Sequence, residues 1–297
     1  MRRFALRLLR DLAMIPLTAF AVYQLVANLP IQRESEAKTA AIVSVEKQLA
    51  EDLGVGTPLG FLRPWQKLLA GERLGTDALA YDAKDFRAAL AGSARMGAIA
   101  LLLALLQGAL FAFARLRARR AALPLSTIPA LVYATPAFLL ALLAAMVTTT
   151  PRFDPDWYPL LGAWVMSVGP SAFIGVVLHG ALTHELGQLY VTAARARGAT
   201  ERDVLLRHAL PNALPALLDA VGPVAASLLA GSFVVERLFN LTHFGFLYVY
   251  AAQNMELGVV VVATTLFACV LVAVSVGVEL LRLWIDPKAR RAALEGE

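Results

Sequence analysis

An all-α protein that crosses a membrane several times is the fold class the sequence predicts, and three observations predict it. Hydrophobic residues make up 59% of the 297 positions and charged residues only 16%, with a mean hydropathy of +0.64. A water-soluble domain of this length would need far more polar surface. The apolar residues also gather into runs long enough to span a bilayer as helices. Finally, the arginines and lysines sit in short clusters between those runs, which is a topology signal and not a phosphate-binding face. The net charge of +5 therefore does not point to nucleic acid. The single cysteine, Cys269, excludes an intrachain disulfide framework and a cysteine metal site.

Taken in order, Arg2, Arg3, Arg7 and Arg10 precede a run from Leu12 to Leu29. A charged start before an apolar run also describes a signal peptide, with Ala19-Phe20-Ala21 as a small-x-small site. The run continues for about two more helical turns and approaches the ~20 residues of a spanning helix, so we read an uncleaved first span over residues 1–29. Residues 30–95 are mixed in charge and form an external loop or small external domain. Positive-inside arguments act weakly on a loop this long. The second span, Met96–Ala114, ends in Arg115, Arg117, Arg119 and Arg120, a cluster that marks the cytoplasm. The third, Leu125–Val147, contains Pro129 and Pro136. The fourth, Tyr158–Leu182, is expected to break at Gly169-Pro170, with Trp157, Tyr158 and Trp164 as interfacial anchors. The fifth, Leu214–Val235, carries Gly222-Pro223. Glu236–Leu257 is expected outside, and Gly258–Ile285 is the sixth span. Six spans with both ends cytoplasmic, a core over 96–285 and a tail over 286–297, satisfy every short-loop charge cluster.

The most informative stretch is residues 188–215, a short basic amphipathic segment between two apolar spans. Tyr190–Arg197 has helix-forming composition, and Ala193, Ala194 and Ala196 give it a smooth face. Gly198 falls where a left-handed residue would end that helix. Thr200 is an N-cap for a second helix, with Asp203 three residues on as a near-capping box. Pro211 and Pro215 are expected to stop that helix. The result is a helix–turn–helix knob at a membrane surface, suited to a groove on another protein.

Thr192-Ala193-Ala194, Gly198, and then His208-x-Leu210-Pro211 resemble the EAA loop of ABC importer permeases, and the longer string from Tyr190 to Ala213 resembles the dipeptide/oligopeptide/nickel branch. Thr192 stands where the name-giving Glu would, and His208 where an Ile is usual. Gly231–Asn254 is a second, independent match to that branch, departing from it at His243-Phe244-Gly245. Leu68–Thr76 resembles its external segment, Ile15-Pro16 the proline of its first helix, and Asp286-Pro287-Lys288-Ala289-Arg290 its end.

The resemblance implies the type I ABC importer permease fold: six transmembrane helices and a cytoplasmic coupling helix. It implies a bacterial inner-membrane location and inward movement of di- or oligopeptides by alternating access. The expected partners are a second homologous permease, two cytoplasmic ATPases that hold ATP and Mg, and an external substrate-binding protein. Thr192, Ala193, Ala194, Arg195, Arg197, Gly198, Glu201, Leu210 and Pro211 are the expected ATPase-coupling residues. Ala194 and Gly198 would pack closely in the ATPase groove, with Arg195, Arg197 and Glu201 at its edge.

No G-x-x-x-x-G-K-[ST] string is present, so this chain has no P-loop and is expected to bind no cofactor of its own. His179 and His184 lie five apart and share a helix face poorly, and no H-E-x-x-H exists, so no metal or protease site is expected. Polar groups inside spans are functional candidates because burying them is costly. Gln107, Asp219, Glu236 and Asn254 are therefore candidates for a translocation path. The competing readings are interhelical hydrogen bonding for Gln107 and Asn254, an arginine partner for Asp219, and an interfacial carboxylate for Glu236. A permease for nickel or another small solute of the same branch is one alternative. A membrane-embedded enzyme is another, but no convergent catalytic set at one depth supports it.

Overall fold

The computed structural model describes residues 2–27, 60–75, 80–117, 131, 135–148 and 155–285. Its helices are α1 (Arg2–Ala27), α2 (Arg63–Leu69), α3 (Ala83–Arg117), α4 (Ala137–Thr148), α5 (Tyr158–Leu186), α6 (Leu189–Ala196), α7 (Glu201–Asp203), α8 (Leu210–Leu238), α9 (Phe244–Gln253) and α10 (Leu257–Ile285). The six residues Val204–Ala209 between α7 and α8 form a π-helical turn. The only pairing of extended backbone among the described residues is one antiparallel bridge, Leu74 to Tyr81.

Four helical stretches are long and apolar enough to cross a membrane: α3, α5, the run Glu201–Leu238, and α10. α4 is apolar but short. The first expected span is helical as α1, which is not among the four. Most of the expected third span, the expected loop over 30–59, the cluster Arg119-Arg120 and the tail over 286–297 lie outside the described residues.

The chain divides into two compact units. The first comprises residues 1–93 and 242–273. In it, α3 begins with a reciprocal cap. The Asp85 N–H donates to Asp82 Oδ1 at 3.0 Å, and the Asp82 N–H donates to Asp85 Oδ2 at 2.9 Å. Each carboxylate thus satisfies a backbone donor that the helix start leaves orphaned. Just upstream, Leu74 is buried and bridged to Tyr81, so Leu68–Gly75 holds ordered structure. The Phe244 N–H at the start of α9 donates to Ser93 Oγ at 3.0 Å, and the Phe244 ring is buried. The expected external turn at His243-Phe244-Gly245 is thus a helix start anchored on α3.

The second unit comprises residues 94–241 and 274–297. Its core joins Met96, Ala100 and Ala104 of α3 to Ala163, Met166 and Ile174 of α5 and Val224, Leu228 and Val235 of α8. Among apolar helices in lipid, burying another Leu gains little, so close backbone approach and dispersion carry the packing. At Gly108 an added Cβ would lie 2.8 Å from the Ser171 carbonyl oxygen and 2.6 Å from Ile174 Cγ2. At Gly175 it would lie 3.1 Å from the Gly108 carbonyl oxygen. These two glycines let α3 and α5 touch backbone to backbone.

Two proline expectations are corrected. Pro170 sits inside α5, which runs unbroken to Leu186. A proline's missing N–H is tolerated inside an apolar helix packed among neighbours. Pro211 and Pro215 do not stop the second helix of the knob, because Glu201–Leu238 is continuously helical. The wide π turn directly precedes Pro211, and Pro215 lies inside the α segment that follows.

Candidate functional site

The segment between α5 and α8 is built as an elbow. α5 ends at Leu186, Gly187 and Gln188 make the turn, and α6 follows. α6 ends at Ala196, and Gly198 takes φ +87°, the left-handed conformation that an L side chain rarely adopts. An added Cβ at Gly198 would meet nothing within 4 Å. The glycine is therefore required by the handedness of the backbone and not by crowding. Thr200 caps the next turn: its Oγ1 accepts from the Asp203 N–H at 3.2 Å, while its hydroxyl donates to Asp203 Oδ2 at 2.6 Å.

Two polar clamps hold the elbow. Across the glycine turn, Arg195 Nε donates to Glu201 Oε1 at 2.8 Å and Arg195 Nη2 to Glu201 Oε2 at 3.1 Å, a two-pronged pair. On the other side, the Tyr190 hydroxyl donates to Glu185 Oε2 at 2.6 Å and accepts from Asn212 Nδ2 at 3.2 Å. Asn212 Nδ2 also donates to the His208 carbonyl at 2.8 Å. Tyr190 thus ties the end of α5 to the beginning of α8 through α6. Burial, and then the bond to Glu185, raise the Tyr190 pKa.

The faces of α6 divide cleanly. Val191 and Ala194 are buried within the chain, Ala194 at 2% exposure. Ala194, expected against a partner's groove, instead packs inward. Leu189, Thr192, Ala193 and Ala196 lie three and four positions apart and are all exposed, Leu189 at 87%. They form one small, mildly apolar outward stripe. Arg197, Gly198 and Pro211 are exposed at its margins, and Leu210 is half-buried. Beneath the elbow, Leu178 and Leu182 of α5 pack with Ala209 and Ala213 and with Ala112 of α3.

The four path candidates lie on α3, on α8 and at the end of α9. Gln107 Nε2 donates to Ser167 Oγ at 3.2 Å, joining α3 to α5. Asp219 Oδ1 lies 3.2 Å from Arg282 Nη1. Asn254 ends α9 and donates to the Tyr250 carbonyl at 2.7 Å. Glu236, expected at the outer boundary of its span, is fully buried. Sequence reasoning missed Glu185 and Asn212. Their signal was a tyrosine five residues after a carboxylate and an amide just after the Leu-Pro, neither of which has a fixed reading without coordinates.

A separate cavity of about 320 Å³ lies between α4, α5 and α8, lined by Pro136, Gly169, Pro170, Phe173, Pro223 and Ser227. The prolines and glycines of three helices converge there, leaving space that larger side chains would fill.

Comparison with known proteins places these features in a family. Residues 83–291 match the model of the binding-protein-dependent transport system inner membrane component. The dipeptide transport system permease protein DppB of Lactococcus lactis subsp. cremoris is 26% identical over 211 residues, which is 67% of this chain and 68% of that protein. The oligopeptide transport system permease protein OppB of Escherichia coli is 31% identical over 133 residues, covering 45% of this chain. That match spans 44% of the Escherichia coli protein, less than half its length. Among solved structures, an amino acid ABC transporter crystallised with histidines superposes with a TM-score of 0.56 at 15% identity. It covers 67% of this chain and 93% of that one, a likeness of fold. With about two thirds of its length inside one transport-subunit model, the chain belongs to the binding-protein-dependent transport system inner membrane component family.

Proposed function

We propose that this chain is one membrane subunit of an ATP-binding cassette importer that moves di- or oligopeptides inward by alternating access. In this reading it pairs with a second homologous permease, two cytoplasmic ATPase subunits carrying ATP and Mg, and an external substrate-binding protein. It sits in a bacterial inner membrane with six spans, α1 and the α4 region supplying the two beyond the four long ones, and with both termini cytoplasmic.

The observation that carries the reading is the elbow. A docking element must be stiff, must offer a face to its partner, and must be joined to what it moves. α6 meets the first need through the Tyr190 and Arg195 clamps. It meets the second with Leu189, Thr192, Ala193 and Ala196, small enough for a groove to close on them. It meets the third because the helical path from Glu201 to Leu238 has no break, so a push on the elbow is delivered into the long helix beside the proline-lined cavity. Thr192, Ala193, Arg197, Gly198 and Pro211 are then the contact residues. Ala194, Arg195, Glu201 and Leu210 are the residues that keep the elbow in shape.

The test is Gly198→Arg in the intact transporter. The site is open, so the substitution adds bulk on the outside of the elbow at a modest backbone cost. The expected outcome is normal membrane insertion, with peptide uptake lost while ATP hydrolysis by the assembly persists. Retained uptake would overturn the coupling role, and purification of the chain without any ATPase would overturn the importer reading.

A further inference from the structure

We propose that the cavity enclosed by the end of α3, the second half of α5 and the elbow binds an anionic phospholipid from the inner face of the bilayer. The proposal goes beyond transport and rests only on the long helices crossing a membrane.

The cavity measures about 930 Å³. Its rim is cationic, with Arg115 and Arg117 from the last turn of α3 and Arg202 from the start of the second arm of the elbow. None of these three guanidinium groups has a carboxylate within salt-bridge distance among the described residues, whereas the nearby Arg195 is already held by Glu201. The lining as a whole carries four arginines against one carboxylate, that of Glu201.

The floor is of the opposite character. Leu110 and Phe113 of α3 and Leu206 of the π turn line it, with Leu110 71% exposed and Leu206 43% exposed. Leu110 and Phe113 belong to a membrane-length helix, so the cavity runs from the arginine level down into span-forming segments. An occupant must therefore place an anion against three arginines and a hydrocarbon chain on leucine and phenylalanine. A soluble anion meets the first need only, and an acidic protein surface does not meet the second. A phosphodiester headgroup with its glycerol and acyl chains meets both.

The test uses the full chain in nanodiscs of phosphatidylcholine alone or mixed with phosphatidylglycerol, with retained lipid read by native mass spectrometry. The wild type is expected to retain phosphatidylglycerol in preference to phosphatidylcholine and to gain thermal stability from it. Combined Arg115→Gln, Arg117→Gln and Arg202→Gln is expected to lower that retention by on the order of tenfold or more, while Arg207→Gln, outside the cavity, leaves it unchanged. If the triple variant does not insert, the exposed single variant Arg202→Gln is expected to lower retention by about fivefold. Equal retention of the two lipids by the wild type, or unaltered retention in the variants, would overturn the proposal. Displacement of the lipid by inorganic phosphate alone would overturn it as well. So would loss of a soluble partner subunit from the triple variant with its lipid retained. Each of these readouts is independent of peptide uptake.

Discussion

The Tyr190 hydroxyl donates to Glu185 Oε2 at 2.6 Å, across the two-residue turn that separates α5 from α6. A hydrogen bond to a carboxylate is worth up to a few kcal/mol when dry and less where water competes, as on this partly exposed tyrosine. Tyr190→Phe keeps the ring and removes both this bond and the one from Asn212. The expected cost is about 1 kcal/mol, confined to the elbow. Hydrogen exchange should quicken over residues 189–203 and stay unchanged in the middle of α5. If the elbow transmits force, ATP turned over per peptide imported should rise.

Gly198 separates a requirement of backbone from a requirement of space. Its φ of +87° disfavours a Cβ, yet no atom lies within 4 Å of where that Cβ would be. Gly198→Ala should therefore lower stability by about 1 kcal/mol through conformation alone. Gly198→Asn should cost less, because asparagine enters the left-handed region more readily. Thermal melts of the two variants in one detergent decide it: equal melting points would mean that this turn does not need its left-handed residue.

That turn was legible in the sequence because glycine, threonine and aspartate at this spacing have few other uses. The expected left-handed residue and N-cap are where Gly198 and Thr200 sit. The spans at α3, α5, α8 and α10 were legible for a similar reason, since composition over some twenty residues leaves little freedom. The prolines were misleading. Pro170, Pro211 and Pro215 read as stops from local propensity, but apolar helices packed among neighbours tolerate a freed carbonyl, and a π turn precedes Pro211. The facing of α6 was also hidden. Two adjacent alanines carry the same side chain, so only the structure shows that Ala194 turns inward and Ala193 outward.

Gly108 is set against the Ser171 carbonyl, and its replacement tests the close approach of α3 and α5. Gly108→Ala places a methyl group 2.8 Å from a backbone oxygen, which cannot rotate away. The helices must separate, at about 1–3 kcal/mol for an overpacked contact. Gly180→Ala on the same α5, where an added Cβ meets nothing within 4 Å, is the control and should be neutral or slightly stabilising. Equal melting points for the two variants would show that α3 and α5 do not meet as described.

Asp219 and Arg282 are 3.2 Å apart, with side chains 53% and 36% exposed. An ion pair at the surface of the subunit contributes roughly 0–1 kcal/mol where water reaches it. Asp219→Asn is expected to melt within a few degrees of the wild type and to import peptide at the normal rate. A large loss of uptake with normal stability would return Asp219 to the list of path residues and assign it a role that its arginine partner does not explain.

Asp82 supplies a pH dependence whose sign can be worked out. Its carboxylate accepts the backbone N–H groups of Asp85 and Lys84, at 3.0 and 2.7 Å, and those bonds hold its pKa below the ordinary carboxylate range. A folded-state pKa below the unfolded value of about 3.9 means that the cap contributes fully above that value. The contribution is lost as pH falls through the depressed folded-state pKa. Protection of the Lys84 and Asp85 amides, corrected for intrinsic exchange, should therefore be flat from neutral pH down to the unfolded pKa and decline below it. Asp82→Asn keeps an oxygen at the cap but cannot titrate, so its profile should stay level through the same acid range. A parallel decline in the variant would assign the acid sensitivity to another group and remove Asp82 as its source.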